Sequence, residues 1–282
     1  MTYFAFLAIF LGIPIAVLSL RTITDYHRGH WMPAALNAFK PWLVLLGLCI
    51  VAFLYTTPWD NYLVATSVWW YDPLLVNGLV LGYVPIEEYT FFLVQPIMTG
   101  LFTLWLMRTL PLNPQPADRP AVRKWATSIV GLIWLASLIL LVLSLTTDAF
   151  KPGTYLALEL SWALIPVLIQ LAFGADILAR HWRVIFAGIA IPTLYLSFAD
   201  AIAINTGTWT IDPAQSTHIL LGGILPIEEF VFFLLTNTLV VLGLTLVLAE
   251  ESLPRAHRLQ QLPFVGRIFS LLLLGQDMAL EG

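Results

Sequence analysis

The sequence predicts an all-α integral membrane protein with seven transmembrane helices, built as two parallel three-helix repeats joined by a linker helix. Three observations lead there. First, 59% of the 282 residues are hydrophobic and only 11% charged, less than half the ~25% charge of an ordinary soluble domain. Second, apolar segments of crossing length recur along the chain. Third, the basic residues sort to one side of those segments.

A helix needs roughly 20 apolar residues to cross the hydrocarbon core. Segments of that kind fall at about 2–20, 41–57, within 74–107, 125–146, 154–175, 182–199 and within 217–249. The first twenty residues carry no charge and no small-residue cleavage site. They read as a retained helix rather than a signal peptide. Spans 1, 2 and 4 hold no charged residue, and span 6 only Arg183 at its very start. Span 3 holds Glu87 and Glu88, span 5 holds Glu159, and span 7 holds Glu228 and Glu229. After Pro254, the apolar stretch 262–275 reads either as a helix lying in the interface or as an unstructured tail.

The loops set the expected orientation. Twelve of the thirteen Lys and Arg residues fall on one side of a seven-span arrangement, and only Lys151 falls on the other. That side is expected to be cytoplasmic, with the N-terminus outside and the C-terminus inside. Nothing in the chain offers the basic surface that nucleic acid requires. Cys49 is the single cysteine, which excludes a disulfide framework and a cysteine zinc site.

Two segments superpose in sequence. Asp60, Trp69, Asp72 and Pro73 match Asp200, Trp209, Asp212 and Pro213 at an offset of 140. Gly82, Pro85-Ile86-Glu87-Glu88 and Phe91-Phe92 match Gly223, Pro226-Ile227-Glu228-Glu229 and Phe232-Phe233 at 141, so one residue is inserted between. Trp42 matches Trp182 at 140, and Tyr3 and Pro14 match Tyr155 and Pro166 at 152. Spans 1–3 and 5–7 are therefore the repeats, and four crossings between them make the copies parallel. The units divide as 1–110, a linker with span 4 at 111–150, 151–250, and a tail at 251–282. Both glutamate pairs then lie at the outer side, at equal depth.

A carboxylate inside a bilayer costs at least about 2.5–3.5 kcal/mol, so four placed alike ask for a reason. One reading is structural. Pro85 and Pro226 start helices, and the glutamates behind them complement the helix dipole. The other is chemical. Leu74–Val84 and Ile219–Leu225 are apolar, so they extend the helix or fold back along it and sink the glutamates below the surface. Phe91, Phe92, Phe232 and Phe233 follow three to four residues later, on the same helix faces. A carboxylic acid buried beside aromatic rings stays protonated, can donate that proton, and the rings can steady a cation formed nearby. Asp60 and Asp200 end spans 2 and 6 at the same level, where they either face the glutamates or lie in loops. Asp72 and Asp212 precede prolines and read as turn residues. Glu159, matched by Leu7, is expected to pack or pair locally, and His218 to sit at the interface.

The stretch Thr57-Pro58-Trp59-Asp60-Asn61-Tyr62 and the two Pro-Ile-Glu-Glu-(Tyr/Phe)-x-Phe-Phe motifs resemble the integral-membrane lycopene cyclases. These occur as two small bacterial subunits, as one fused archaeal chain, or as the front half of fungal fusions with phytoene synthase. The resemblance covers roughly residues 1–250. Asp200-Ala201 stands where Asp60-Asn61 does, and Thr236 where Gln95 does, so the halves need not be equivalent in catalysis. The resemblance implies a redox-neutral cyclisation of the linear ends of lycopene to β-ionone rings, with no cofactor and no metal. It implies Glu87, Glu88, Glu228, Glu229, Asp60 and Asp200 as the acid–base groups. It implies Pro85, Phe91, Phe92, Trp69, Pro226, Phe232, Phe233 and Asn61 around the substrate. Lycopene and membrane lipid are the expected partners, with association to other carotenoid-biosynthesis enzymes. No GxGxxG fingerprint is present, in keeping with a cyclase that lacks a dinucleotide-binding domain.

Related C50-carotenoid cyclases and a carotenoid hydratase share this architecture and remain alternatives. A proton-coupled transporter is the rival from another class, though no span carries the polar residues that a polar substrate requires. A retinal photoreceptor would need a lysine within a helix, whereas Lys40, Lys124 and Lys151 all lie in loops or at span ends.

Overall fold

The computed structural model describes residues 1–113 and 118–260. Seven helices among them are long and apolar enough to cross a membrane. They are α1 Tyr3–His27, α2 Pro41–Ala65, α3 Ile86–Thr109, α4 Pro120–Thr146, α5 Thr154–Arg180, α6 Trp182–Asn205 and α7 Ile227–Leu248. A short amphipathic α8, Ser252–Gln260, follows. The expected interfacial segment 262–275 lies outside the described residues. Helices α3 and α7, which begin at the repeated motif, are the most buried, at 61% and 67% of their spanning windows, against 11% for α4. So the two helices that carry the repeated glutamate pairs form the centre and touch each other, while α4 packs at the periphery against α5.

One expectation about helix ends is corrected, and one left open between two alternatives is decided. Asp60 and Asp200 do not end their helices. Both are buried, at 1% exposure, and α2 and α6 run on to Ala65 and Asn205. Polar residues past a hydrophobic run look like a loop in sequence, but here they extend the helix because they face protein rather than water. The apolar stretches before the motifs fold back rather than extend the helix. Strand β2 (Val80–Leu81) pairs with β3 (Val84–Pro85), and β5 (Leu220–Leu221) pairs with β6 (Leu225–Pro226). The residue inserted between the halves sits in this turn: Gly82-Tyr83 joins the first hairpin, Gly222-Gly223-Ile224 the second. Gly82 has φ +67, and a Cβ there would run into Oδ1 of Asn61. Only glycine suits both demands.

The halves are also stitched by an antiparallel ribbon. Strand β1 (Trp69–Tyr71) pairs with β4 (Trp209–Ile211), with Trp70 opposite Thr210. Asp72 and Asp212 close the ribbon as expected turn residues. Their Oδ1 atoms accept from the backbone N–H of Leu74 and Ala214, each at 2.9 Å.

At the opposite end of the bundle lie the ion pairs. Asp25 meets Arg21 at 3.2 Å and Arg108 at 3.7 Å. Asp176 is held by Arg123 at 2.5 Å and Arg255 at 2.7 Å, and Arg180 pairs with Glu251. Among the described residues the carboxylates near the ribbon have no such partners. Charge is thus divided between an ion-paired end and an uncompensated acidic end.

Candidate active site

Beneath the ribbon a cavity opens between the halves. It is lined by Glu88 and Phe91 of α3, by Glu229, Phe232 and Phe233 of α7, and by Asp60 of α2 and Asp200 of α6. Tyr3, Phe6 and Tyr155 enclose it from α1 and α5, and Trp69, Tyr71, Trp209 and Ile211 from the ribbon. Among the described residues no Lys, Arg or His lines it. The four carboxyl groups are all buried, none above 8% exposed.

The two glutamates of each motif separate in role. A helix start fans successive residues by about 100°, so neighbours face different ways. Glu87 turns to the loop and accepts the backbone N–H of Asn77 at 2.7 Å. Glu228 does the same for Thr217 at 2.6 Å and also takes the Ser216 hydroxyl at 3.1 Å. These first glutamates anchor the hairpin loops. The second ones, Glu88 and Glu229, face the cavity and take phenolic hydrogen bonds. Tyr3 donates to Oε2 of Glu88 at 2.5 Å and Tyr71 donates to the same oxygen at 3.0 Å. Tyr155 donates to Oε1 of Glu229 at 2.8 Å.

The asymmetry between halves comes from one strand position. Tyr71 of β1 has Ile211 as its counterpart in β4. The Trp69 indole therefore donates to the Tyr71 hydroxyl at 2.9 Å, while the Trp209 indole reaches Oδ1 of Asp200 at 2.9 Å. Burial first, then the neighbouring Glu88 carboxyl, push the Tyr71 phenol well above its ordinary pKa, so it stays a neutral donor. Asp200 also lies against the Glu229 carboxyl, whereas the Oδ2 of Asp60 has no hydrogen-bond partner.

Of the other expected site residues, Trp69, Phe91, Phe232 and Phe233 line the cavity. Phe91 and Phe233 meet edge to face at 6.3 Å. Phe92 packs on Tyr89 instead. Pro85 and Pro226 are buried in the hairpin strands just before each helix. Asn61 turns away: its amide donates to Tyr89 at 2.9 Å and accepts from the backbone of Tyr83 at 2.9 Å, so it holds the first hairpin. Glu159 packs locally, as expected: it is fully buried on α5, one turn beyond Tyr155.

Sequence reasoning missed the phenols. Tyr3 and Tyr155 were visible as a matched pair at offset 152, but only as a mark of duplication. Tyr71 had no repeated counterpart to draw attention to it. Among the described residues no group of three His, Cys, Asp or Glu side chains is arranged to hold a metal ion.

A tightly packed cluster of four carboxyl groups and three phenols, walled by rings and free of cations, is suited to moving protons near an apolar substrate. The chain is also similar to known proteins. The family model described as lycopene cyclase matches residues 1–106 and 152–247, which leaves out all of α4. A lycopene beta-cyclase of Halobacterium salinarum is 36% identical over 87% of this chain and 95% of its own length. A bifunctional lycopene cyclase/phytoene synthase of Phycomyces blakesleeanus is 37% identical over 74% of this chain and 34% of its own. One from Podospora anserina is 35% identical over 82% and 38%. No solved structure matches.

Proposed function

This chain belongs to the lycopene cyclase family, and from that premise we propose that it closes the acyclic ends of lycopene into β-ionone rings inside the membrane. The observation that carries this reading is the carboxylate cavity. Four negative charges in one apolar, cation-free pocket would repel one another, so the cluster retains protons. That retained proton is what starts the reaction.

The reaction is a general-acid-initiated cyclisation. A carboxylic acid protonates C2 of the terminal C1=C2 bond, and positive charge forms at C1. The C5=C6 bond attacks C1, closing a six-membered ring and moving the charge to C5. A carboxylate removes the proton from C6, and the C5=C6 double bond of the β-ring results. One proton enters and one leaves, so the product has the mass of the substrate. Glu229, with a single phenolic partner, serves as the donor. Glu88, whose Oε2 receives two phenolic hydrogen bonds, best carries negative charge and takes the departing proton. Asp60 and Asp200, which line the same cavity, return the proton between turnovers. Phe91, Phe232, Phe233 and the indoles of Trp69 and Trp209 face the cation and exclude water. Exclusion of water favours ring closure over hydration.

The ion-paired end is taken as cytoplasmic on the distribution of basic residues, which puts the cavity toward the outer leaflet. The substrate arrives through lipid, from the enzymes that build the polyene in the same bilayer.

Expression in a lycopene-accumulating host tests the reading. The expected result is a bicyclic or monocyclic pigment of unchanged mass. A product heavier by one water would point to hydration. Unchanged lycopene beside pH-driven uptake of another solute would point to a transporter. Glu88→Gln and Glu229→Gln are expected to abolish the new pigment. Full activity in both would remove the acid–base assignment.

A further inference from the structure

Two grooves open on the flanks of the bundle, and both depend on a proline. Proline has no N–H to give to the carbonyl four residues back. Pro166 thereby frees the carbonyl of Trp162, and Pro14 frees that of Phe10. Each freed carbonyl is taken by a tyrosine from a helix of the other half: Tyr55 donates to Trp162 at 2.9 Å, and Tyr195 donates to Phe10 at 3.0 Å. Tyr55 and Tyr195 are counterparts at the 140 offset, and the carbonyl residues at 152. Beside each bond lies a groove. One, of about 160 Å³, runs between α2, α3, α5 and α7 and includes Val51, Ala52, Tyr55, Trp162 and Thr236. The other runs between α1, α3 and α6 and includes Val17, Leu18, Met98, Ile191 and Tyr195.

The grooves differ in what they reach. Phe91 and Phe232 line both the first groove and the carboxylate cavity. The second groove shares no lining residue with the cavity. Near the first groove four rings lie almost parallel. Tyr55 stacks on Trp162 at 5.3 Å and 17°, Trp162 on Trp59 at 4.3 Å and 12°, and Trp59 on Phe232 at 6.0 Å and 3°. Across the repeat, Ala199 stands where Trp59 does, and Phe10 where Trp162 does, so the second flank has no such ladder. At its outer side the first groove reaches Val51, which is 62% exposed on the lipid-facing surface.

We propose that the groove between α2, α3, α5 and α7 seats the polyene chain of the substrate while its end group occupies the carboxylate cavity, and that the matching groove on α1, α3 and α6 is not a route to the cavity. This rests on the cyclase reading above. A flat conjugated chain matches a row of parallel rings and an apolar trough, and continuity through Phe91 and Phe232 joins that trough to the reacting groups. The similar halves therefore give one door rather than two.

The test uses the full chain in lipid vesicles with two substrates: lycopene, and a shortened acyclic polyene with the same end group. Ala52→Trp and Val51→Trp fill the first groove. Ile191→Trp puts the same bulk at the matching position of the second. Expected are a loss of at least tenfold in lycopene cyclisation for Ala52→Trp, a smaller loss for Val51→Trp, and wild-type turnover for Ile191→Trp. Ala52→Trp should still cyclise the short substrate, which shows that its cavity is intact. Wild-type lycopene turnover in both first-groove variants overturns the proposal, as does an equal loss in Ile191→Trp. So does loss of both substrates by Ala52→Trp while Val51→Trp keeps lycopene at the wild-type rate. If the wild-type protein cyclises neither substrate, the cyclase reading falls, and the groove's assignment falls with it.

Discussion

Tyr3, the third residue of the chain, donates its hydroxyl to Oε2 of Glu88 across 85 residues of sequence, at 2.5 Å. The bond joins α1 to α3 inside the carboxylate cavity, and Tyr155 on α5 makes the corresponding bond to Glu229 on α7. A hydrogen bond to a charged group is worth about 1.5–3 kcal/mol. Tyr3→Phe and Tyr155→Phe keep the ring and remove only the hydroxyl. Each is expected to slow ring formation roughly ten- to a hundredfold at unchanged protein level in the membrane. Pigment turnover normalised to membrane content measures this.

The glutamates of one motif should behave differently from each other. Glu87→Gln keeps an oxygen for the Asn77 N–H and is expected to retain activity within a few-fold. Glu87→Ala leaves a buried donor unpaired, at a cost of about 1–3 kcal/mol, and should lower thermal stability. Glu88→Gln, by contrast, should keep stability and lose activity. Melting curves beside turnover for the three variants separate anchor from reacting group.

Between the central helices a polar knot bridges the halves. Gln95 on α3 donates to Oδ1 of Asn237 on α7 at 2.8 Å, Thr99 reaches the same oxygen at 2.6 Å, and Asn237 donates to Thr193 on α6 at 3.2 Å. Interhelical hydrogen bonds in membranes average about 0.6 kcal/mol and reach about 1.7. Asn237→Leu removes several at once and is expected to destabilise the fold by about 1–2 kcal/mol, read as a lower melting temperature in detergent.

His181, at the join of α5 and α6, gives a pH dependence of stability. Burial, then the adjacent Arg180, lower its pKa from the usual 6.5 to about 4. Its folded value is the lower one, so protonation favours the unfolded chain. The stability it contributes is complete above about 6.5 and is lost as pH falls toward 4. Between pH 7 and 4 the melting temperature of the wild type should fall more steeply than that of His181→Gln. Parallel curves would show that His181 does not sense pH in this range.

The amino-acid sequence by itself determined the seven spans, because a helix in lipid must be a long and predominantly apolar run. It also determined the duplication and the motif, because a buried Pro-Ile-Glu-Glu with its flanking Asp, Trp and Phe positions recurs in register. What it left open was which carboxylate faces which way. Glu87 and Glu88 are adjacent and chemically alike, and only the angle at which α3 leaves its hairpin decides that one holds a loop and the other faces the cavity. The helical placement of Asp60 and Asp200 likewise depended on neighbours from distant helices, since a polar residue beyond an apolar run reads as a loop until a buried partner surface is known. The phenols of Tyr3, Tyr71 and Tyr155 reach the glutamates through tertiary contacts as long as 85 residues, and no local pattern encodes such a contact. The Pro-Ile-Glu-Glu repeat thus specified that there are two acidic helices, while their packing decided that two of the four glutamates, not all four, share one cavity.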